Sequence, residues 1–190
     1  MDIARWGLGK GLPLSVSSTG GKYYTLPDDD QETANTQMAT FHYGDVELMF
    51  EVRGGVTGPE GGLQIRGGNT VGDLFYGTEG WMAVDAAGFQ VYKGVKQEKI
   101  MDEPKSPGDD TAPHMENFLA AVKSRDYKSL HADVEIAVAS ADLVHMANTS
   151  YRLKRTLKFD EATRKYVGDE EANKMLTRNY RKPYVVPEKV

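Results

Sequence analysis

The sequence predicts an α+β fold, a largely antiparallel, open β-sheet packed by helices, with the C-terminal half mostly helical. Three observations carry this. Residues 36–43 and 46–53 alternate in polarity around Gly44-Asp45, and short apolar stretches recur as far as Tyr92. From Pro113 onward, apolar residues fall at helical spacing instead, through to Leu153. Strands first and helices afterwards is the order of an α+β domain rather than of alternating βαβ units.

The chain opens with Asp2-Ile3-Ala4-Arg5-Trp6-Gly7-Leu8-Gly9, which reads as the last two turns of a helix closed by Gly9 and Gly11. No N-cap precedes it, and so short a helix is marginal unless it packs on something. The expectation is a fragment of a longer protein. Residues 12–26 follow, with Leu14, Val16, Tyr23 and Tyr24 around Gly20-Gly21, as a strand or a bulged strand pair. An acidic loop, Pro27 to Glu32, leads to the hairpin.

Gly at the first central position of a two-residue loop suits a type II′ turn. With Tyr43 paired to Val46, Phe41 falls opposite Leu48 and Ala39 opposite Phe50. The second face carries His42 against Glu47, Thr40 against Met49 and Thr36 against Arg53. One face is apolar and the other mixed, as in an antiparallel sheet covered on one side. If the sheet face is apolar as this hairpin predicts, it needs covering, and a homo-oligomer through the sheet face is expected.

Residues 54–72 are glycine-rich and predict a loop with one short strand at Leu63-Gln64-Ile65. Leu74 to Tyr76, Trp81 to Val84 and Phe89 to Tyr92 predict three strands joined by turns, and Pro104 to Pro113 a polar linker. Helices are predicted over 114–125 and 131–153. In the longer one Val134, Ala137, Val138, Ala141, Val144, His145, Asn148 and Tyr151 form the expected inner stripe. Leu157-Lys158-Phe159 reads as a short strand, Asp169 as the cap of a helix over 170–176, and Lys182 to Pro187 as extended chain.

At 190 residues, with 39% hydrophobic and 27% charged residues, the chain fits one soluble domain, 1–190, with 154–190 as a basic C-terminal tail docked on it. No cysteine is present, which excludes disulfides, thiolate metal sites and cysteine nucleophiles. Residues 151–190 carry 11 Lys and Arg against 6 Asp and Glu, and residues 1–150 carry 12 against 22. The basic residues of the tail are interspersed with acids and the body is acidic, so nucleic acid is rejected as the main partner. No apolar run approaches the roughly 20 residues that span a bilayer, and the first residues show no basic-then-apolar leader. A soluble, cytoplasmic protein is expected as the chain stands.

The chemistry motifs are weak. Gly7-Leu8-Gly9-Lys10-Gly11 follows a helix and precedes a strand, the reverse of a phosphate-cradling loop. No nucleophile elbow and no paired-histidine zinc motif occurs. His42 pairs with Glu47 on the surface, and His131 stands at a helix start. His114, also at a helix start, is either a cap or a residue pointing into a cleft, while His145 is read as a satisfied core histidine. Asn148-Thr149-Ser150 is a glycosylation sequon in a mid-helix position that disfavours its use. Asp2 and Arg5 share one helix face.

Several segments taken together resemble the Gfo/Idh/MocA family of oxidoreductases, the glucose–fructose oxidoreductase and inositol dehydrogenase group. They are Asp2 to Trp6, Asp30 to Thr33, Phe50 to Arg53, Phe75 to Gly80, His114 to Leu119, His145 to Leu153 and Val167 to Asn173, in family order along the whole chain. The resemblance implies the C-terminal α+β half, which covers the substrate and builds the oligomer interface. The family's N-terminal half, a Rossmann domain with a Glu-Lys-Pro motif and catalytic lysine, has no counterpart here; Glu103-Pro104-Lys105 has the wrong order. A family histidine would fall about two residues before Met1, counting by the resemblance.

The resemblance therefore implies no catalytic residue, no metal and no cofactor in this chain, with NAD or NADP used by the full-length parent. Expected substrate contacts are Asp2, Arg5, His114 and Asn117, and the expected ligand is a sugar or cyclitol. The implied role is the substrate-side and oligomerisation domain of an NAD(P)-dependent oxidoreductase, inactive alone. The alternative is a stand-alone carbohydrate-binding or protein-interaction module that has lost catalysis.

Overall fold

The structure, a computed structural model, describes residues 1–24, 28–55, 58, 60–61, 63, 65–66, 69–104 and 111–187. Pro27 of the acidic loop, Gln64 and much of the 54–72 loop, and residues 105–110 of the linker lie outside the described residues. Contacts divide the chain into two compact units. Met1, Leu8–Val52 and Ala141–Val190 form the first; Asp2–Gly7 and Arg53–Ser140 form the second. Residues 154–190 belong to the first unit.

A five-stranded antiparallel sheet is the frame of the first unit. β1 (Ser15–Gly21) pairs with β2 (Thr36–His42), from Ser15 opposite His42 to Gly21 opposite Thr36. β3 (Glu47–Arg53) lies beyond β2. The turn between them has the expected chemistry: the Tyr43 N–H donates to the Val46 carbonyl at 3.0 Å and Gly44 has φ +92°. On its other side β1 meets β10 (Leu157–Asp160), which pairs with β11 (Lys165–Tyr166). Burial alternates with period two, Gln37, Ala39 and Phe41 pointing inward while Met38 and His42 point out.

That apolar face is not free. The long helix α3 (Val134–Leu153) buries Leu143, Met146, Ala147, Thr149 and Ser150. Gln37 Nε2 donates to the Ala147 carbonyl at 3.2 Å and to Ser18 Oγ at 2.8 Å, so the helix backbone lies directly on β2. α3 covers the β2 side of the hairpin's apolar face, while Leu48 and Phe50 of β3 are half-buried.

The helical period over 134–153 is as predicted, but its phase is rotated. Leu143, Met146, Ala147 and Ser150 recur at i, i+3, i+4 and i+7, while Val134, Val138, Val144 and His145 are exposed. His145 is therefore a surface residue and not a core histidine. Thr149 and Ser150 are buried because their hydroxyls are satisfied locally, Thr149 by the His145 carbonyl at 2.9 Å and Ser150 by the Arg155 carbonyl at 2.8 Å. The helix starts at Val134 and not at 131, since Asp133 caps it by accepting from the Glu135 N–H at 2.8 Å.

In the second unit, β6 (Asp73–Tyr76), β7 (Gly80–Asp85) and β8 (Gly88–Lys93) form the predicted meander. A fourth strand, β9 (Glu98–Pro104), follows β8 with a register shift at Val91/Tyr92. All its residues are exposed, so nothing in its sequence alternates to announce it. A two-stranded ribbon joins β4 (Ile65–Arg66) to β5 (Asn69–Thr70). Trp81 stacks on Tyr92 with ring centroids 4.1 Å apart on one face of the meander. Helical segments of the unit include residues 2–7, 111–124 and 134–140. α1 (Asp2–Leu8) approaches β6 at Gly7, where a Cβ would come within 2.5 Å of the Phe75 ring. α2 (Thr111–Ser124) starts three residues before the predicted 114, Pro113 being tolerated in a first turn.

Near the C-terminus, α4 (Glu170–Lys174) is capped as expected by Asp169, which accepts from the Ala172 N–H at 3.0 Å. Arg155 grips the same carboxylate with Nε at 3.0 Å and Nη2 at 2.9 Å, a bidentate pair. Residues 182–187 are not wholly extended: the Tyr184 N–H closes a turn onto the Arg181 carbonyl at 2.8 Å, with Pro183 at a turn position.

Truncating Phe41 to alanine is expected to cost about 3–5 kcal/mol in urea unfolding, the usual range for a fully buried phenylalanine. The Arg155 hydrogen bonds, and then the Ala172 N–H, hold the Asp169 carboxyl below its usual range. A depressed carboxylate stabilises above its unfolded pKa of about 3.9, and that contribution is lost as pH falls through the folded value. The urea midpoint should thus fall on acidification below about pH 4. Asp169→Asn should start lower at pH 7 and fall by less.

Candidate functional site

The four expected substrate contacts, Asp2, Arg5, His114 and Asn117, all lie in the second unit. Asp2 opens α1 and Arg5 stands one turn later on the same face, with Arg5 Nη2 3.9 Å from Asp2 Oδ1. What joins them is Ser140, on α3. Arg5 Nε donates to Ser140 Oγ at 3.2 Å, and Ser140 Oγ donates in turn to Asp2 Oδ1 at 2.5 Å. Arg5 Nη2 also reaches the Ile136 carbonyl at 3.4 Å.

The two charged residues thereby acquire different characters. The Arg5 side chain is 16% exposed and its donors go to a hydroxyl and a carbonyl of α3, so it braces α1. A seven-residue helix gains little from propensity alone, and this brace supplies tertiary contacts for its first turns. Asp2 is 64% exposed, and its Oδ2 has no partner among the described residues. The carboxylate is thus oriented through one oxygen and open through the other. Such a group accepts hydrogen bonds from hydroxyls, and charge-assisted bonds of this kind are the stronger class.

His114 and Asn117 do not join this cluster. Asn117 has its amide committed to backbone: Nδ2 donates to the Ser129 carbonyl at 2.9 Å, and Oδ1 accepts from the His131 N–H at 2.9 Å. It clamps the 3₁₀ turn Tyr127–Ser129 and the segment after it against α2. His114 sits exposed one turn earlier on the same helix. His42 pairs with Glu47 as expected, at 2.6 Å on the surface. Ser140 was missed by sequence reasoning, since a serine inside a helical run carries no signal for a partner 138 residues away.

A cavity of about 170 Å³ lies elsewhere in the unit, lined among others by Ala83, Gln90, Asp102 and Glu103, and none of the four singled-out residues borders it. Among the described residues no group of three or more His, Asp or Glu could hold a metal ion, and no helix is long and apolar enough to cross a membrane.

Residues 81–186, more than half of the chain, match the family model described as the C-terminal alpha/beta domain of the Gfo/Idh/MocA oxidoreductase family. Among solved structures the chain is similar to yvaA of Bacillus subtilis, a candidate oxidoreductase, at 12% identity and TM-score 0.55, over 84% of this chain and 48% of that one. It is also similar to a candidate oxidoreductase from Klebsiella pneumoniae at 14% identity and TM-score 0.56, over 92% of this chain and 50% of that one. Identities this low show a shared fold. The chain spans about half the length of these solved structures. No curated relative matches it.

Ser140→Ala removes the hydroxyl that joins Arg5 to Asp2 and should destabilise by about 1–2 kcal/mol, because hydrogen bonds to charged groups are lost. Hydrogen exchange should locate the loss, with amides of α1 opening faster than those of the β-sheets.

Proposed function

The chain belongs to the Gfo/Idh/MocA oxidoreductase family, of which it carries the C-terminal alpha/beta domain, and we propose that it forms the substrate-side half of an NAD(P)-dependent oxidoreductase acting on sugars or cyclitols. The observation that supports a polyol ligand is the Asp2 carboxylate, oriented by Ser140 through one oxygen and open through the other. In this reading Asp2 accepts hydrogen bonds from ligand hydroxyls and Arg5 holds α1 in place, acting through Asp2 and Ser140. His114, exposed on α2, is the second expected contact, and Asn117 supports that helix from behind.

The glycines of the 7–11 segment do not fit the phosphates of a dinucleotide. The glycines at 7, 9 and 11 surround the C-terminal end of α1, where carbonyls rather than N–H groups are left over, and that end repels phosphate. We therefore derive no hydride-transfer step from this chain, and expect it to be inactive alone. The cofactor, NAD or NADP, would be held by another half of the enzyme. A homo-oligomer is part of the same reading.

Titration of the labelled chain with glucose, fructose and myo-inositol, followed by amide NMR, tests the reading. Weak binding is expected, with the largest shifts at residues 2–5 and an affinity about tenfold lower in Asp2→Asn, as for loss of a charged hydrogen-bond acceptor. Shifts confined to other residues would remove Asp2 from the site. Oxidation of any of the three polyols with NAD or NADP by the chain alone would overturn the expectation that it is inactive.

A further inference from the structure

Opposite residues of an antiparallel pair share a face of the sheet. The register of the meander therefore lays two rows side by side on one face. Tyr76, Trp81, Tyr92 and Lys99 make the first row, and Ala83, Gln90 and Asp102 the second. The first row is a ladder, with Trp81 stacked on Tyr92 and Lys99 Nζ 5.8 Å from the Tyr92 ring centroid. It also orients the second row. The Tyr92 hydroxyl donates to Gln90 Oε1 at 2.6 Å, and Lys99 Nζ donates to Asp102 Oδ2 at 3.0 Å.

Each of these bonds uses one polar atom of a side chain and leaves the other. Gln90 Nε2, a donor, and Asp102 Oδ1, an acceptor, have no hydrogen-bond partner among the described residues. Both residues border the cavity of about 170 Å³, together with Leu63, Ala83, Asp85 and Glu103. Ala83 is buried there, and Leu63 packs on Gly72, where a Cβ would come within 2.7 Å of its side chain. One water needs only about 10–15 Å³, and drug-sized ligands occupy roughly 300–1,000 Å³. The space between those limits suits a single ring. A charged-acceptor wall favours a ligand that donates, and the Gln90 amide requires one that also accepts. A hydroxyl does both, whereas an ammonium has no lone pair to offer Gln90.

We propose that this cavity is an accessory binding site for a single neutral ring carrying adjacent hydroxyls, a sugar or cyclitol. Gln90 Nε2 donates to one hydroxyl and Asp102 Oδ1 accepts from its neighbour. The Leu63 and Ala83 side chains meet the C–H surface of the ring, the usual division between an apolar lining and a few placed polar groups. The site shares no residue with the Asp2 cluster and does not rest on the reading given to Asp2. Two direct polar contacts at a partly open cavity give weak binding, with a dissociation constant in the millimolar range.

Amide NMR of the labelled 190-residue chain, titrated with methyl α-glucopyranoside and with myo-inositol to about 100 mM, reads the site. Saturable shifts are expected at residues 83, 90 and 102 with at least one of the two. Asp102→Asn and Gln90→Ala should each weaken them about tenfold, and Ala83→Leu, which fills the cavity, should abolish them. Gln90 and Asp102 reach solvent, so circular dichroism should be unchanged in those two variants. Cyclohexanol and cyclohexylamine, which lack the adjacent hydroxyls, should leave the three amides in place. The absence of saturable shifts there with both ligands overturns the proposal. So do shifts that survive both Asp102→Asn and Gln90→Ala, or an equal response to either control compound. Shifts at residues 2–5 report on Asp2 separately, so each site can fail without the other.

Discussion

The contact on which the first unit depends is that of α3 with the inner face of β1 and β2. Phe41 and Ala39 are fully buried, and the buried helix residues Ala147 and Ser150 are small. Small residues let the backbone of α3 come near enough for Gln37 to donate to the Ala147 carbonyl. That bond satisfies a buried amide, which would otherwise be costly in an apolar layer. Sheet alternation, helix phase and burial of one polar side chain are thus parts of one arrangement.

The candidate site rests on a different kind of contact. Arg5, Ser140 and Asp2 are joined in a chain of polar bonds in which the arginine is mostly buried and the aspartate mostly open. An ion pair between Asp2 and Arg5 alone, at 3.9 Å on a short helix, would be worth little. The serine hydroxyl changes that by donating to one partner and accepting from the other. The same bond orders α1 and orients the carboxylate.

Much of this was legible in the chain. The hairpin could be read from Gly44-Asp45 and period-two polarity, the α4 cap from Asp169, and the α+β class from the order of patterns. The differences concern residues whose environment the polarity pattern does not show. β9 shows no alternation because both its faces are exposed. α3 was given the wrong phase because Thr149 and Ser150 look polar, yet bond to nearby carbonyls and are buried. Asn117 bonds to the Ser129 carbonyl and the His131 N–H, partners that no local pattern names.

Local chemistry by itself determined the class of fold, the turns, the caps and the family resemblance, since turn geometry, capping and periodicity act over a few residues. Only the tertiary structure decided which stripe of α3 is inside, that α3 lies on β2, and that Ser140 joins Asp2 to Arg5. Those outcomes depend on which groups meet across more than a hundred residues of chain. No local preference encodes such a meeting. It is fixed only when burial and hydrogen bonding are satisfied together.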